Sequence, residues 1–295
     1  RLLVVVPAHL SNEKQAFSLA RHLRTLHAAT PQAHFMLLAD FPDGNELLPD
    51  RDLALCRSTA AIFQALNQQE ANAYLYFHRS RIQLEQANRC AARRGKQGAI
   101  ETLNLLLLGE ESPDTFVYSS LPPSALHNKY DHVLLLHPDT FLPPGAAEQL
   151  QGALEHPLQK GRMAMIRPRM ECLSSSLRTH LQFLLHAGGP ESPSHATEQI
   201  IHQFFGRASF SGQGIYDPAL VLRRTHPLQK KQSLRHHYFL GGEVATCGFS
   251  EDILCFSPPA ATLSRLQNSI RQNARGDGQL ASFLTDAALP FISRF

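Results

Sequence analysis

The stretch Asp131–Gly145, DHVLLLHPDTFLPPG, restricts what this chain can fold into more than any other part of it. Val133-Leu134-Leu135-Leu136 is a short apolar run between polar residues, the pattern of a strand covered on both faces of a parallel sheet. The run stops at His137, and Pro138, Pro143, Pro144 and Gly145 force a loop before a helix over Ala146–Leu154. In open α/β sheets ligands gather at the carboxyl ends of strands. His137-Pro138-Asp139 is therefore the first place to look for a site.

The same alternation runs through the first half. Apolar runs predict strands at Leu2–Pro7, His34–Ala39, Ala73–Phe77 and Met163–Ile166. Helical spacing predicts Asn12–His27, with Ala16, Leu19, Ala20 and Leu23 inward, and Asp52–Gln68, Ile82–Ala92 and Ala99–Leu108. The last two are separated by the basic turn Arg93-Arg94-Gly95-Lys96, and Glu110–Asn128, rich in Ser and Pro, reads as a loop. Strand and helix in alternation give an α/β fold: a doubly wound, mainly parallel sheet flanked by helices, in a single domain. Its strand ends are expected to bring Asp40, His78 and His137–Asp139 to one edge of a cleft.

The second half is less regular. Leu177–His186, Thr197–Phe205 and Leu263–Asn273 read as helices, Ile253–Phe256 as a short strand and Ser209–Asp217 as a glycine-spaced turn. Leu234–Gly242 carries a histidine pair, and Arg275-Gly276-Asp277-Gly278 follows the last helix.

With 43% apolar and 18% charged residues in 295, the chain is a folded globular one. Its net charge of +3 comes from scattered Lys and Arg, without the basic footprint that nucleic acid demands. Five well-separated cysteines without C-x-x-C spacing argue against a zinc site and a disulfide framework, and fit a reducing compartment. Sixteen histidines show no H-x-x-x-H helix spacing. No apolar run reaches the length of a membrane span. A chain that opens on RLLVVVPA and closes on PFISRF reads as a domain excised from a larger protein.

A family resemblance runs from end to end. VVVP at Val4–Pro7, LLAD at Leu37–Asp40, FHRSR at Phe77–Arg81, Glu101-Thr102-Leu103-Asn104 and DTFLPPGAAEQL at Asp139–Leu150 recur in order. So do His156–Leu158, Arg167–Arg169, FFGRASFSGQGIYD at Phe204–Asp217, RGDGQ at Arg275–Gln279 and Ile292–Phe295. In this the chain resembles the glycosyltransferase domain of the cyclic β-1,2-glucan synthases, large inner-membrane proteins that polymerise glucose from UDP-glucose. The resemblance implies a GT-A-like fold with a nucleotide-side half at roughly 1–145 and an acceptor-side half at roughly 146–295. It implies a place on the cytoplasmic face of a bacterial inner membrane, within a larger membrane-anchored polypeptide. Partners are then the rest of that polypeptide and glucan or UDP-glucose, with no nucleic acid.

The resemblance also assigns roles. Asp40, His78 and Arg79 fall on the nucleotide side. There Asp40 meets a uridine or ribose edge or caps its strand, His78 touches phosphate or orients the cleft, and Arg79 does so too or pairs with a carboxylate. His137 and Asp139 occupy the Asp-x-Asp that holds a divalent metal on the sugar diphosphate. His237 falls at the general-base position, and Tyr216, Asp217, Arg275 and Asp277 on the acceptor side.

The departures fall on charged positions. His137 replaces the first metal-site Asp, Ala99 a phosphate-facing Lys, and His236-His237 the segment with the base. Arg207 and Gln213 replace an acid and a base, and Gln272 and Asn273 an Arg-Trp pair. Glycines are kept, and no Trp remains to stack on a sugar ring. The sequence thus resembles an inverting UDP-glucose glycosyltransferase in a degenerate form, expected to be non-catalytic and to need no cofactor. Two rivals stand beside this: an active β-1,2-glucosyltransferase with an altered site, alone calling for Mn²⁺ or Mg²⁺, and a UDP-glucose sensor.

Overall fold

In the computed structural model the apolar run at the start of the chain forms β1 (Leu2–His9), buried from Leu2 to Pro7. The structure describes residues 1–70, 73–84, 89–92, 95–109, 115–158, 160, 163–172, 213–220 and 246–257. Two compact units, Arg1–Pro138 and Asp139–Phe295, make up the chain.

In the first unit β1 is joined on one side by β2 (His34–Asp40) and on the other by β7 (His132–Leu135), both parallel to it. β3 (Tyr74–Arg79) extends the sheet beyond β2, again parallel. β6 (Phe116–Ser119) closes it, antiparallel to β3. Pro7 is tolerated inside β1 for a simple reason. Val5 O accepts a bond from Leu136 N, so Pro7, of the same parity, turns its missing N–H toward β7 where that strand has already ended. Since β1, β2, β3 and β7 all run the same way, their carboxyl ends share one edge.

Helix α1 (Glu13–Ala29) starts where Asn12 accepts a bond from Gln15 N, and it buries Ala16, Leu19, Ala20, Leu23 and Leu26. Helix α2 (Asp50–Gln69) buries Leu55, Cys56, Ala60 and Phe63. The two helices are tied where they end. The Tyr74 hydroxyl donates to Glu70 at the end of α2, and His27 Nδ1 of α1 lies 2.7 Å from the same carboxylate. That bond from Tyr74 is the main reason the Glu70 carboxyl sits below its usual pKa. Its contribution is therefore present above the unfolded carboxylate pKa and lost as pH falls through the lowered folded one. Glu70→Gln is expected to cost about 1 kcal/mol in urea titrations at neutral pH and little at acid pH. An equal cost at both would refute this.

Two expectations need correction. The helix expected over Ile82–Ala92 is not what its described residues form: they lie in two antiparallel strands, β4 (Arg81–Leu84) and β5 (Arg89–Ala92). Helix-forming residues are overruled by pairing: Cys90 exchanges two backbone bonds with Gly44, at 2.7 and 2.9 Å, in the loop after β2. Glu110–Asn128 is not wholly loop either, because it holds β6 and a short 3-10 helix, Pro123–Leu126. Helix α3 (Gly95–Leu108) begins earlier than predicted.

In the second unit α4 (Ala146–Glu155) is preceded by Gly145 at φ +81°, a left-handed cap that L side chains rarely adopt. β8 (Met163–Cys172) runs on through Arg167-Pro168-Arg169, with β10 (Thr246–Ser257) parallel to it and β9 (Gly214–Tyr216) antiparallel. Pro168 sits at a register shift between Ser250 and Leu254, where a strand accommodates proline. The predictions for Leu177–His186, Thr197–Phe205, Leu234–Gly242 and Leu263–Asn273 lie outside the described residues.

Candidate functional site

The shared carboxyl edge of β2 and β3 is where the first unit gathers its charge. Asp40 ends β2 and Arg79 ends β3, and the register brings these strand ends side by side. Arg79 Nε donates to Asp40 Oδ1 at 2.7 Å and Nη2 to Oδ2 at 2.6 Å, the fork-on-carboxylate geometry of a strong pair. Their side chains are only 2% and 5% exposed. Of the roles weighed for Arg79, pairing with a carboxylate is the one seen here.

His78 points to the other face of β3, toward α2. Its ring stacks on Phe41 at 3.8 Å, and its Nδ1 lies 2.7 Å from the Tyr76 hydroxyl and 3.5 Å from Cys56 Sγ. Burial, helped by Arg81 and Arg79, lowers its pKa to about 3, so it is neutral here. Burial likewise pushes the Cys56 thiol up to about 11, which leaves it inert as a nucleophile. His78 is fully buried, in the packing between β3 and α2 behind the edge.

Arg81, quoted within FHRSR but given no role from sequence, organises the loop after β2. Its Nε donates to Pro42 O at 2.8 Å and its Nη1 to Glu46 O at 3.2 Å, while Nη1 pairs with Asp52 Oδ2 at 2.6 Å. The guanidinium also lies 4.8 Å from the centre of the Phe41 ring. Nothing local linked Arg81 to Asp52: the acid reads only as a favourable first-turn residue of α2.

The remaining candidates divide between the units. His137 follows β7 in the first unit and is half-buried, whereas Asp139 opens the second and is exposed. Beside Asp139, the fully buried Thr140 donates to Gln213 Oε1 at 2.6 Å. Gln213, noted from sequence only as a lost base, thus ties the loop after Pro138 to β9. Tyr216 is buried in β9, and Asp217 Oδ1 accepts from Leu220 N at 2.9 Å, capping a helical turn. His237, Arg275 and Asp277 lie outside the described residues. Among the described residues no three His, Cys, Asp or Glu side chains are grouped to hold a metal, and no helix is long and apolar enough to cross a membrane.

A mainly parallel sheet flanked by helices, with charged residues at its carboxyl edge, shares the doubly wound α/β arrangement of GT-A-like folds. The chain's sequence is similar to that of the cyclic β-(1,2)-glucan synthase NdvB of Rhizobium meliloti (strain 1021), 23% identical over 304 residues. The match covers 96% of this chain and 11% of that much longer protein. No family model matches the chain. Among solved structures, the mannosyltransferase PcManGT of Pyrobaculum calidifontis is similar with a TM-score of 0.49 and 13% identity, over 98% of this chain and 66% of that one. For residues 1–349 of TarS from S. aureus the values are 0.45 and 13%, over 100% and 68%. Neither score reaches 0.5, and the likeness to a glycosyltransferase rests on the sequence match.

Proposed function

We propose that this domain is a non-catalytic descendant of a UDP-glucose-dependent β-1,2-glucan synthase module. It has a structural or sugar-binding role inside a larger, membrane-anchored polypeptide at the cytoplasmic face of a bacterial inner membrane. The observation that carries this is the donor set after β7. His137-Pro138-Asp139 offers one carboxylate and an imidazole, whereas Mg²⁺ and Mn²⁺ on a diphosphate take oxygen donors. The residues present do not fit such a metal. Further support comes from Ala99, buried in α3 at the position of the phosphate-facing Lys, and from Asp40 and Arg79, each engaged by the other. Glucose transfer needs a base and a stabilised leaving group together, and such groups act as a unit.

The test is transfer from UDP-glucose with Mn²⁺ present. The domain, His137→Asp, His237→Asp and the double variant are all expected to stay at background, because one restored part cannot replace the others. Clear turnover by the unmodified domain or a single variant refutes the reading. So does micromolar UDP affinity in calorimetry that strengthens with Mn²⁺.

A further inference from the structure

Beside the Asp40–Arg79 edge, and lined by neither residue, a cleft of about 230 Å³ opens between the loop after β2 and the start of α2. Its walls carry Asp43, Asn45, Glu46 and Arg51, with Pro42 and Pro49 as the apolar surfaces and Arg81 at the base. The Arg81 side chain is only 5% exposed, and its Nε and Nη1 are engaged by Pro42 O, Glu46 O, Leu47 O and Asp52. Among the described residues no acceptor meets its Nη2, so a buried guanidinium brings an unused donor to the cleft. The walls are braced, since Arg81 holds the loop from one side and the Gly44–Cys90 backbone pair from another.

The chemistry of the lining selects the ligand. Asp43, Glu46 and Asp52 outnumber Arg51 and Arg81, so a phosphate or other anion meets net repulsion. The volume lies below the ~300–1,000 Å³ of ordinary ligand pockets, too small for a whole nucleotide sugar. A neutral polyhydroxylated ring suits it: hydroxyls donate to the Asp43 and Glu46 carboxylates and accept from Arg81 Nη2 and the Asn45 amide. We infer that this cleft binds a single hexose unit of a neutral glycan, apart from the nucleotide edge. This deepens, and rests on, the sugar-binding form of the function proposed above.

The test is amide chemical-shift titration of the domain with D-glucose, with a β-1,2-linked glucose disaccharide and, separately, with UDP. Both sugars are expected to shift residues 43–46, 51 and 81 with affinity near ~1 mM, and UDP is not. Asp43→Ala/Glu46→Ala alters exposed side chains only, and is expected to weaken sugar binding at least about tenfold with melting unchanged. Gly44→Leu supplies a second route. The three atoms nearest a Cβ there belong to the Arg81 guanidinium, at 3.6–3.8 Å, so a larger side chain plugs the cleft. Sugar shifts that are absent, that fall elsewhere, that UDP reproduces or that survive in both variants overturn the site. Turnover of UDP-glucose beside intact sugar shifts overturns the non-catalytic reading and leaves the site standing.

Discussion

Replacing Arg79 with Met is expected to lower the stability of the domain by about 3–5 kcal/mol, because it leaves the Asp40 carboxylate buried without its partner. Both Asp40 oxygens take a guanidinium N–H at 2.6–2.7 Å, and both side chains are nearly sealed from water. The loss is thus mainly the desolvation of an orphaned charge rather than the strength of the pair. Asp40→Leu combined with Arg79→Met removes both charges, and is expected to recover most of the lost stability. Urea unfolding of the two variants checks this. A loss below about 1 kcal/mol for Arg79→Met means that water reaches Asp40 and that the pair is an ordinary surface contact.

The second large effect is on acid stability, and it comes from His78. Its pKa is about 3 in the folded chain, against 6.5 for the free side chain, with burial as the first cause and Arg81 and Arg79 adding to it. A base whose folded pKa is depressed takes up its proton first in the unfolded state. Stability is therefore complete above pH 6.5 and falls by about 1.4 kcal/mol per unit below it, until the folded form protonates near pH 3. Phe41, Cys56 and Arg81 face the ring from neighbouring elements and Tyr76 and Arg79 act on it from its own strand, and none of these offers it negative charge. His78→Asn lowers the baseline by removing the stack on Phe41, but it also removes this slope. Between pH 7 and pH 5 the unmodified domain is expected to lose about 2 kcal/mol more than the variant. Parallel stability curves across that range would show that His78 takes up protons freely.

Much of the first unit was legible because its signals are local. Four strands were read within three residues of their observed limits, since a parallel strand covered on both faces needs an unbroken apolar run. Helix α1 was legible because Asn12 caps it and its apolar residues repeat at helical spacing. Ile82–Ala92 misled for the converse reason. Its composition suits a helix, and pairing with β4 and with the distant Gly44 decides that Cys90 lies in an extended segment. Near the site, sequence supplied Asp40 and Arg79 but not Asp52 as the partner of Arg81, nor Gln213 as the partner of Thr140.

The sequence by itself determined the alternating α/β plan, the placing of charged residues after the strands, and the chemical kind of each donor at His137-Pro138-Asp139. These follow from periodicity and side-chain type, which local order carries in full. Tertiary structure alone decided which charges are free to meet a ligand. Asp40 and Arg79 neutralise each other, His78 turns away into the packing against α2, and Arg81 pins a loop yet keeps one donor open. Those outcomes depend on which strands lie side by side and on what covers each residue, and burial sets the cost of every unpaired charge.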